Sequence, residues 1–107
     1  VTVLIAGADP DGLGDALAAL GADVSRVDGM ATRDSLLAAG IDGADVLVLT
    51  DMDDASAIPV AKEENPNVRV VTYARDSLPE FARGLTDLAI DPNLLSVDVV
   101  AEELVAA

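Results

Sequence analysis

Val1-Thr2-Val3-Leu4-Ile5-Ala6-Gly7-Ala8-Asp9-Pro10-Asp11-Gly12-Leu13-Gly14 opens the chain, and its reading decides the fold. Val1 to Ala6 is an apolar run, as a strand is when both faces of a parallel sheet are covered. Gly7 ends it. Beyond a turn rich in glycine and aspartate, Leu13, Leu17 and Leu20 recur at helical spacing, and Gly21 supplies a C-cap. A strand, a glycine turn and a helix make the first unit of a doubly wound α/β domain.

The alternation continues outward from that unit. Asp23 to Val27 carries Ser25 and Arg26 and reads as a weaker, partly exposed edge strand. Thr32 caps a short helix that holds Leu36 and Leu37 and stops at Gly40. Val46 to Thr50 is the most apolar run, expected at the centre of the sheet, and Asp51, Asp53 and Asp54 crowd the turn after it. A helix capped by Ser56 and running to about Glu64 places Pro59 in its first turn, where the missing N–H has no intrahelical partner to lose. Asn65-Pro66-Asn67 makes the return turn into a strand over Val68 to Tyr73. Leu78 to Arg83 reads as a short helix with Pro79 in its first turn, and Leu88 to Ile90 as the last strand. Asp91 as N-cap and Pro92 at the first position open a final helix with the buried stripe Leu94, Val97, Ala101 and Leu104. The whole predicts a three-layer, doubly wound, five-stranded parallel sheet with right-handed crossovers. The expected order is the flavodoxin-like, Rossmann-like 2-1-3-4-5, in one domain over 1–107.

Composition narrows the chemistry. Neither cysteine nor histidine is present, which removes disulfides, the usual zinc sites, thiol nucleophiles and Ser-His-acid triads together. Any chemistry falls to carboxylates, hydroxyls, backbone or a bound cation. The core is aliphatic, since Tyr73 and Phe81 are the only aromatics. Apolar runs such as Val46 to Leu49 are far too short to span a bilayer, and nothing at the N-terminus reads as a signal peptide, so a cytoplasmic protein without membrane insertion is expected.

Charge is the strongest compositional signal: 20 acidic residues against six basic ones give a net charge of −14. At moderate salt such a surface repels itself, whereas at molar salt the Debye length falls to roughly 3 Å and the carboxylates become tolerable hydrated groups. The excess of Asp over Glu and the single lysine, Lys62, match the pattern of proteins from salt-in halophilic archaea. With no basic stripe to neutralise phosphates, nucleic acid is not expected as a partner.

Several stretches carry a family resemblance. Gly29-Met30-Ala31-Thr32, Leu36-Leu37-Ala38-Ala39-Gly40-Ile41, Ala44-Asp45-Val46, Thr50-Asp51-Met52-Asp53-Asp54, Asn65-Pro66-Asn67 leading to Arg75, and Asp87 to Leu95 follow in order. They resemble the domains that regulate potassium conductance, the RCK or TrkA-N domains. The resemblance implies a regulatory domain, pairing as a homodimer, with a dinucleotide such as NAD over a Gly-x-Gly-x-x-Gly turn. Gly7, Gly12 and Gly14 stand in that turn, Asp28 at the distance of a ribose-binding acid, and Thr50 at the end of the third strand.

Departures from the family pattern weigh against a nucleotide. Counted forward from Gly7, Asp9 takes the place of the second glycine; counted back from Leu13-Gly14, Asp11 does. Either way a carboxylate faces the phosphates, and like charges repel. Met30 replaces the family's acidic residue near the adenine.

The crevice at the carboxyl ends of the strands offers a different occupant. With the first and third strands adjacent, Asp9, Asp11, Asp51, Asp53 and Asp54 converge there as hard oxygen ligands for Mg²⁺ or K⁺. The same acids suggest a receiver-like phosphoacceptor, with Asp51 as acceptor and Asp9 or Asp11 as metal ligands, although Asp91-Pro92 stands where receivers carry a lysine. A metal-dependent hydrolase is a third reading, but it lacks a general acid. The expectation is a non-catalytic, stand-alone RCK-like regulatory or ligand-binding domain with an altered nucleotide site and a cation or small molecule as ligand.

Overall fold

Val3, Leu4, Ile5 and Ala6 are wholly buried, because this first run lies inside the sheet with helices on both of its faces. A computed structural model describes residues 1–106. In it the strands are β1 (Thr2–Ala6), β2 (Asp23–Arg26), β3 (Val46–Leu49), β4 (Arg69–Tyr73) and β5 (Leu88–Ile90). All pair in parallel, in the order β2-β1-β3-β4-β5. The sheet is the doubly wound, flavodoxin-like one expected, with β3 at its centre. In register, Val3 stands between Val24 and Val46, and Val46 faces Arg69 on its other side.

The period of two along each strand divides the core into two layers. Leu4, Leu47, Leu49 and Val70 face Leu36 of α2 (Arg33–Ala39) and Ile58 and Ala61 of α3 (Ala57–Glu64). Val3, Ile5, Val46, Val48 and Val71 face Leu13 and Leu17 of α1 (Leu13–Ala19) and Val100, Ala101 and Leu104 of α4 (Val97–Ala106). Both faces are apolar, which is why the strands read as unbroken runs.

Local signals account for most helix ends. The Thr32 hydroxyl accepts from the Ser35 N–H and the Ser35 hydroxyl accepts from the Thr32 N–H, a reciprocal cap at the start of α2. Pro59 lies in the first turn of α3, but Ser56 makes no side-chain cap. Three further expectations need correction. The segment after Pro79 is a 3₁₀ turn over Glu80–Leu85. Leu20 is exposed, because α1 ends at Ala19 before its stripe comes round again. Asp91 does not cap α4: its carboxylate accepts from the Asn93 N–H in a turn of its own, the helix begins at Val97, and Leu94 is 80% exposed instead of buried.

Candidate functional site

Strand order reverses between β1 and β3, so the loops leaving their carboxyl ends diverge there and open a crevice. The loop after β1 is built around Asp9. Among the described residues it is the one other than glycine at positive φ, at 53°, and it is 8% exposed. From that backbone the carboxylate folds onto the start of α1. Oδ1 accepts from the Leu13 N–H at 2.9 Å, and Oδ2 from the Gly14 N–H at 2.8 Å and the Arg26 guanidinium at 3.2 Å. Its own N–H donates to the Thr50 hydroxyl at 3.1 Å, which in turn donates to the Ala6 carbonyl. Thr50 thus ties the end of β3 to the loop after β1.

Two glycines sit in close contact here, and Gly7 is required by its backbone conformation as well. A Cβ on Gly7, at φ 113°, would run into the Thr50 hydroxyl, and one on Gly14 into the Arg26 guanidinium. Gly12, at φ 73°, closes the turn by donating to the Asp9 carbonyl. In the dinucleotide expectation this turn presents its N–H groups to a pyrophosphate. Here those of Leu13 and Gly14 are spent on the chain's own carboxylate.

The other expected site residues are dispersed. Asp11 leaves the crevice for Arg75, which follows β4 and grips it through both terminal guanidinium nitrogens at 3.0 and 3.1 Å while its Nε donates to Asn93. The Arg75 hydrogen bonds hold the Asp11 carboxyl below its ordinary pKa, and Asp11 raises that of Arg75 in return. Beneath this bridge, burial and then the charge of Asp11 push the Tyr73 phenol up, and its O–H donates to the Leu95 carbonyl. Asp51 accepts from the Asp53 N–H at 2.9 Å. Asp54, 7% exposed, accepts from the Ala31 N–H at 3.1 Å. Asp28 is exposed in the loop after β2. Among the described residues no three carboxylates converge on a point a metal ion could occupy. The five-carboxylate metal centre is corrected accordingly: Asp9 and Asp11 are drawn off to α1 and Arg75, leaving Asp51, Asp53 and Asp54 spread along one wall.

Sequence reading missed Arg26. A polar Ser25-Arg26 pair beside a wholly apolar β1 was the available signal, because an edge strand can send one long side chain over the helix start. It also missed the cleft of about 430 Å³ lined by Gly7, Ala8, Val27, Gly29, Met30, Asp51, Asp53 and Asp54.

A model of the family of unknown function DUF7126 matches residues 3–104. No curated protein matches the chain. Among solved structures, the chain is similar to an orphan response regulator of H. pylori, at 16% identity and a TM-score of 0.76 over 99% of this chain and 94% of that one. It is similar to an atypical orphan response regulator at 15% identity and a TM-score of 0.71, covering 99% and 93%. A protein of Burkholderia pseudomallei K96243 assigned as pilus assembly-related gives 18% identity and a TM-score of 0.71, covering 99% and 87%. At these identities the likeness is one of fold, and the fold is receiver-like. The resemblance to RCK (TrkA-N) domains is overturned by these matches. A strand, a glycine turn and a helix are common to doubly wound folds, and the stretches that suggested the family are the turns, caps and apolar runs such a sheet uses.

Proposed function

The chain belongs to the family of unknown function DUF7126, and from that premise we propose that it is a receiver-fold regulatory domain that acts by binding and accepts no phosphoryl group. The observation that carries this reading is Asp9, whose two carboxylate oxygens are occupied by Leu13, Gly14 and Arg26. A receiver that takes a phosphoryl group needs acids free after its first strand to hold a metal, an aspartate at the end of its third, and a lysine after its last. Here Gly7 and Ala8 follow β1 directly, Thr50 follows β3, and Asp91 stands after β5. Asp51 comes one residue later and is turned to the Asp53 N–H. The donor set does not fit a metal-assisted transfer. A solved relative in fold is described as regulating independently of phosphorylation, which supports the same reading here.

The charge of −14 supports work in the molar-salt cytoplasm of a halophilic archaeon. Homodimerisation is supported by Phe81, Leu85, Leu94 and Val99, exposed on the segments either side of β5, and is tested by sedimentation in molar KCl. Among the described residues no helix is long and apolar enough to cross a membrane.

Incubation with acetyl phosphate and MgCl₂ in molar KCl, followed by intact-mass measurement, tests the main reading. The expected result is an unmodified chain. One added phosphoryl group, abolished in Asp51→Asn, would establish the phosphoacceptor instead.

A further inference from the structure

Thr72 is a polar residue whose place in the core the fold does not account for. It lies near the end of β4, 4% exposed, on the sheet face that carries Val70 and looks toward α3. Thr50 and Thr86 spend their hydroxyls on the Ala6 and Ala82 carbonyls, whereas the Thr72 hydroxyl has no hydrogen-bond partner among the described residues. It is not sealed in, since no fully enclosed side-chain polar atom there lacks a partner; it opens on a cavity of about 250 Å³ that Thr72 itself lines. A hydroxyl at this depth has lost water without gaining a partner, and a group from outside restores one.

The cavity sits between the carboxyl ends of β4 and β5, where open sheets of this kind receive ligands. Ala89, which pairs with Thr72 in register, and the half-buried Leu78 give it apolar walls. Arg75, Ser77 and Asp91 stand around its mouth. Beyond its contacts with Asp11 and Asn93, Arg75 keeps an N–H to donate on each terminal nitrogen. Asp91 keeps an oxygen to accept with, since the Asn93 N–H takes only the other.

This mixture of donors and acceptors selects the occupant. An ammonium group only donates and a carboxylate only accepts, so each is matched by part of the lining, and molar salt screens its charge over roughly 3 Å. A hydroxyl does both and carries no charge to screen. The volume holds on the order of eight water-sized groups, a short carbon chain or a single ring. We propose that this cavity binds a small neutral polyol. One hydroxyl pairs with that of Thr72, its neighbours meet Asp91 and Arg75, and the carbon skeleton lies on Ala89 and Leu78. The proposal deepens the binding function above by naming the ligand class, and it rests on that reading.

The test is a titration of the whole ¹⁵N-labelled chain in molar KCl with erythritol and with ribose, and in parallel with butane-1,4-diamine and with succinate. Expected are saturable shifts with a polyol, confined to Thr72, Ala74 to Leu78 and Ala89 to Asp91, unchanged when the KCl concentration is doubled, and no such response to the diamine or to succinate. Thr72→Val keeps the branched shape of the strand residue and removes the hydroxyl, and is expected to weaken polyol binding about fivefold. Ala89→Leu fills the cavity from an exposed strand position without touching the core, and should weaken it about tenfold or more. No saturable shift with either polyol, shifts scattered over the surface, an equal response to the diamine or succinate, or parental affinity in both variants would overturn the proposal. Phosphoryl uptake at Asp51 is scored separately: it would sink the non-phosphorylated reading while the polyol titration still judges the cavity.

Discussion

Replacing Asp9 separates the two roles its side chain and backbone play. The carboxylate accepts from two N–H groups at the start of α1. Loss of a helix cap costs about 0.5–2 kcal/mol, and hydrogen bonds to a charged group contribute about 1.5–3 kcal/mol. The two ranges describe overlapping contacts and do not add. The Arg26 contact contributes less, because that side chain is half exposed and screened. A net loss of about 2–3 kcal/mol is therefore expected for Asp9→Gly, which removes the carboxylate and tolerates φ 53°. Asp9→Ala loses the same bonds and adds a methyl group in left-handed backbone, costing about 1 kcal/mol more. Asp9→Asn keeps one acceptor and suits the backbone, so about 1–2 kcal/mol is expected.

Urea denaturation followed by far-ultraviolet circular dichroism in molar KCl measures all three variants. At this chain length 1 kcal/mol corresponds to roughly 4 °C in Tm, so Asp9→Ala should melt about 12 °C below the parent. The order Asn, Gly, Ala from mildest to most severe is the diagnostic result. If Asp9→Ala melts within about 2 °C of the parent, or is milder than Asp9→Gly, the carboxylate does not hold α1 and the argument against an anion site in this turn fails with it.

Gly7→Ala places a Cβ against the Thr50 hydroxyl at φ 113° and should cost about 2–4 kcal/mol in the same urea assay. Because Arg75 lowers the Asp11 pKa in the folded chain, the stabilisation from their bridge is present above the unfolded value near 3.8 and is lost as pH falls through the folded one. Urea midpoints at stepped acid pH should therefore fall less steeply in Asp11→Asn than in the parent. Tyr73 has the opposite sign: its raised pKa stabilises below the unfolded value of 10.0 and is lost as pH rises through the folded one, so Tyr73→Phe should flatten the alkaline limb of the same profile. Dilution from molar to about 0.1 M KCl lengthens the Debye length to about 10 Å and should lower the melting temperature; melting unchanged across that range in circular dichroism would remove the halophilic reading.

The sheet was legible because its strands are apolar on both faces and its turns are short, which leaves few other topologies. Val3 to Ala6 and Val46 to Leu49 identify themselves as interior strands, and Ser25-Arg26 marks β2 as an edge. The start of α4 was not legible. Asp91-Pro92 suits a helix start and a turn equally, and the choice went to the Asn93 N–H that the Asp91 carboxylate reaches. The expected metal site failed for a related reason. Proximity of Asp9, Asp11 and Asp51 could be read from the topology, but the engagement of Asp9 with Arg26 and of Asp11 with Arg75 depends on side-chain reach between segments far apart in sequence.

The same contacts join the two functional readings that were in competition. A dinucleotide-binding turn and a receiver both use the end of β1, the first by leaving N–H groups for an anion and the second by leaving carboxylates for a metal. Asp9 satisfies each requirement with the other: its carboxylate is the anion for Leu13 and Gly14, and in binding them it is no longer a ligand for a metal. Arg26 secures it from β2, and Thr50 holds the Asp9 backbone from the end of β3.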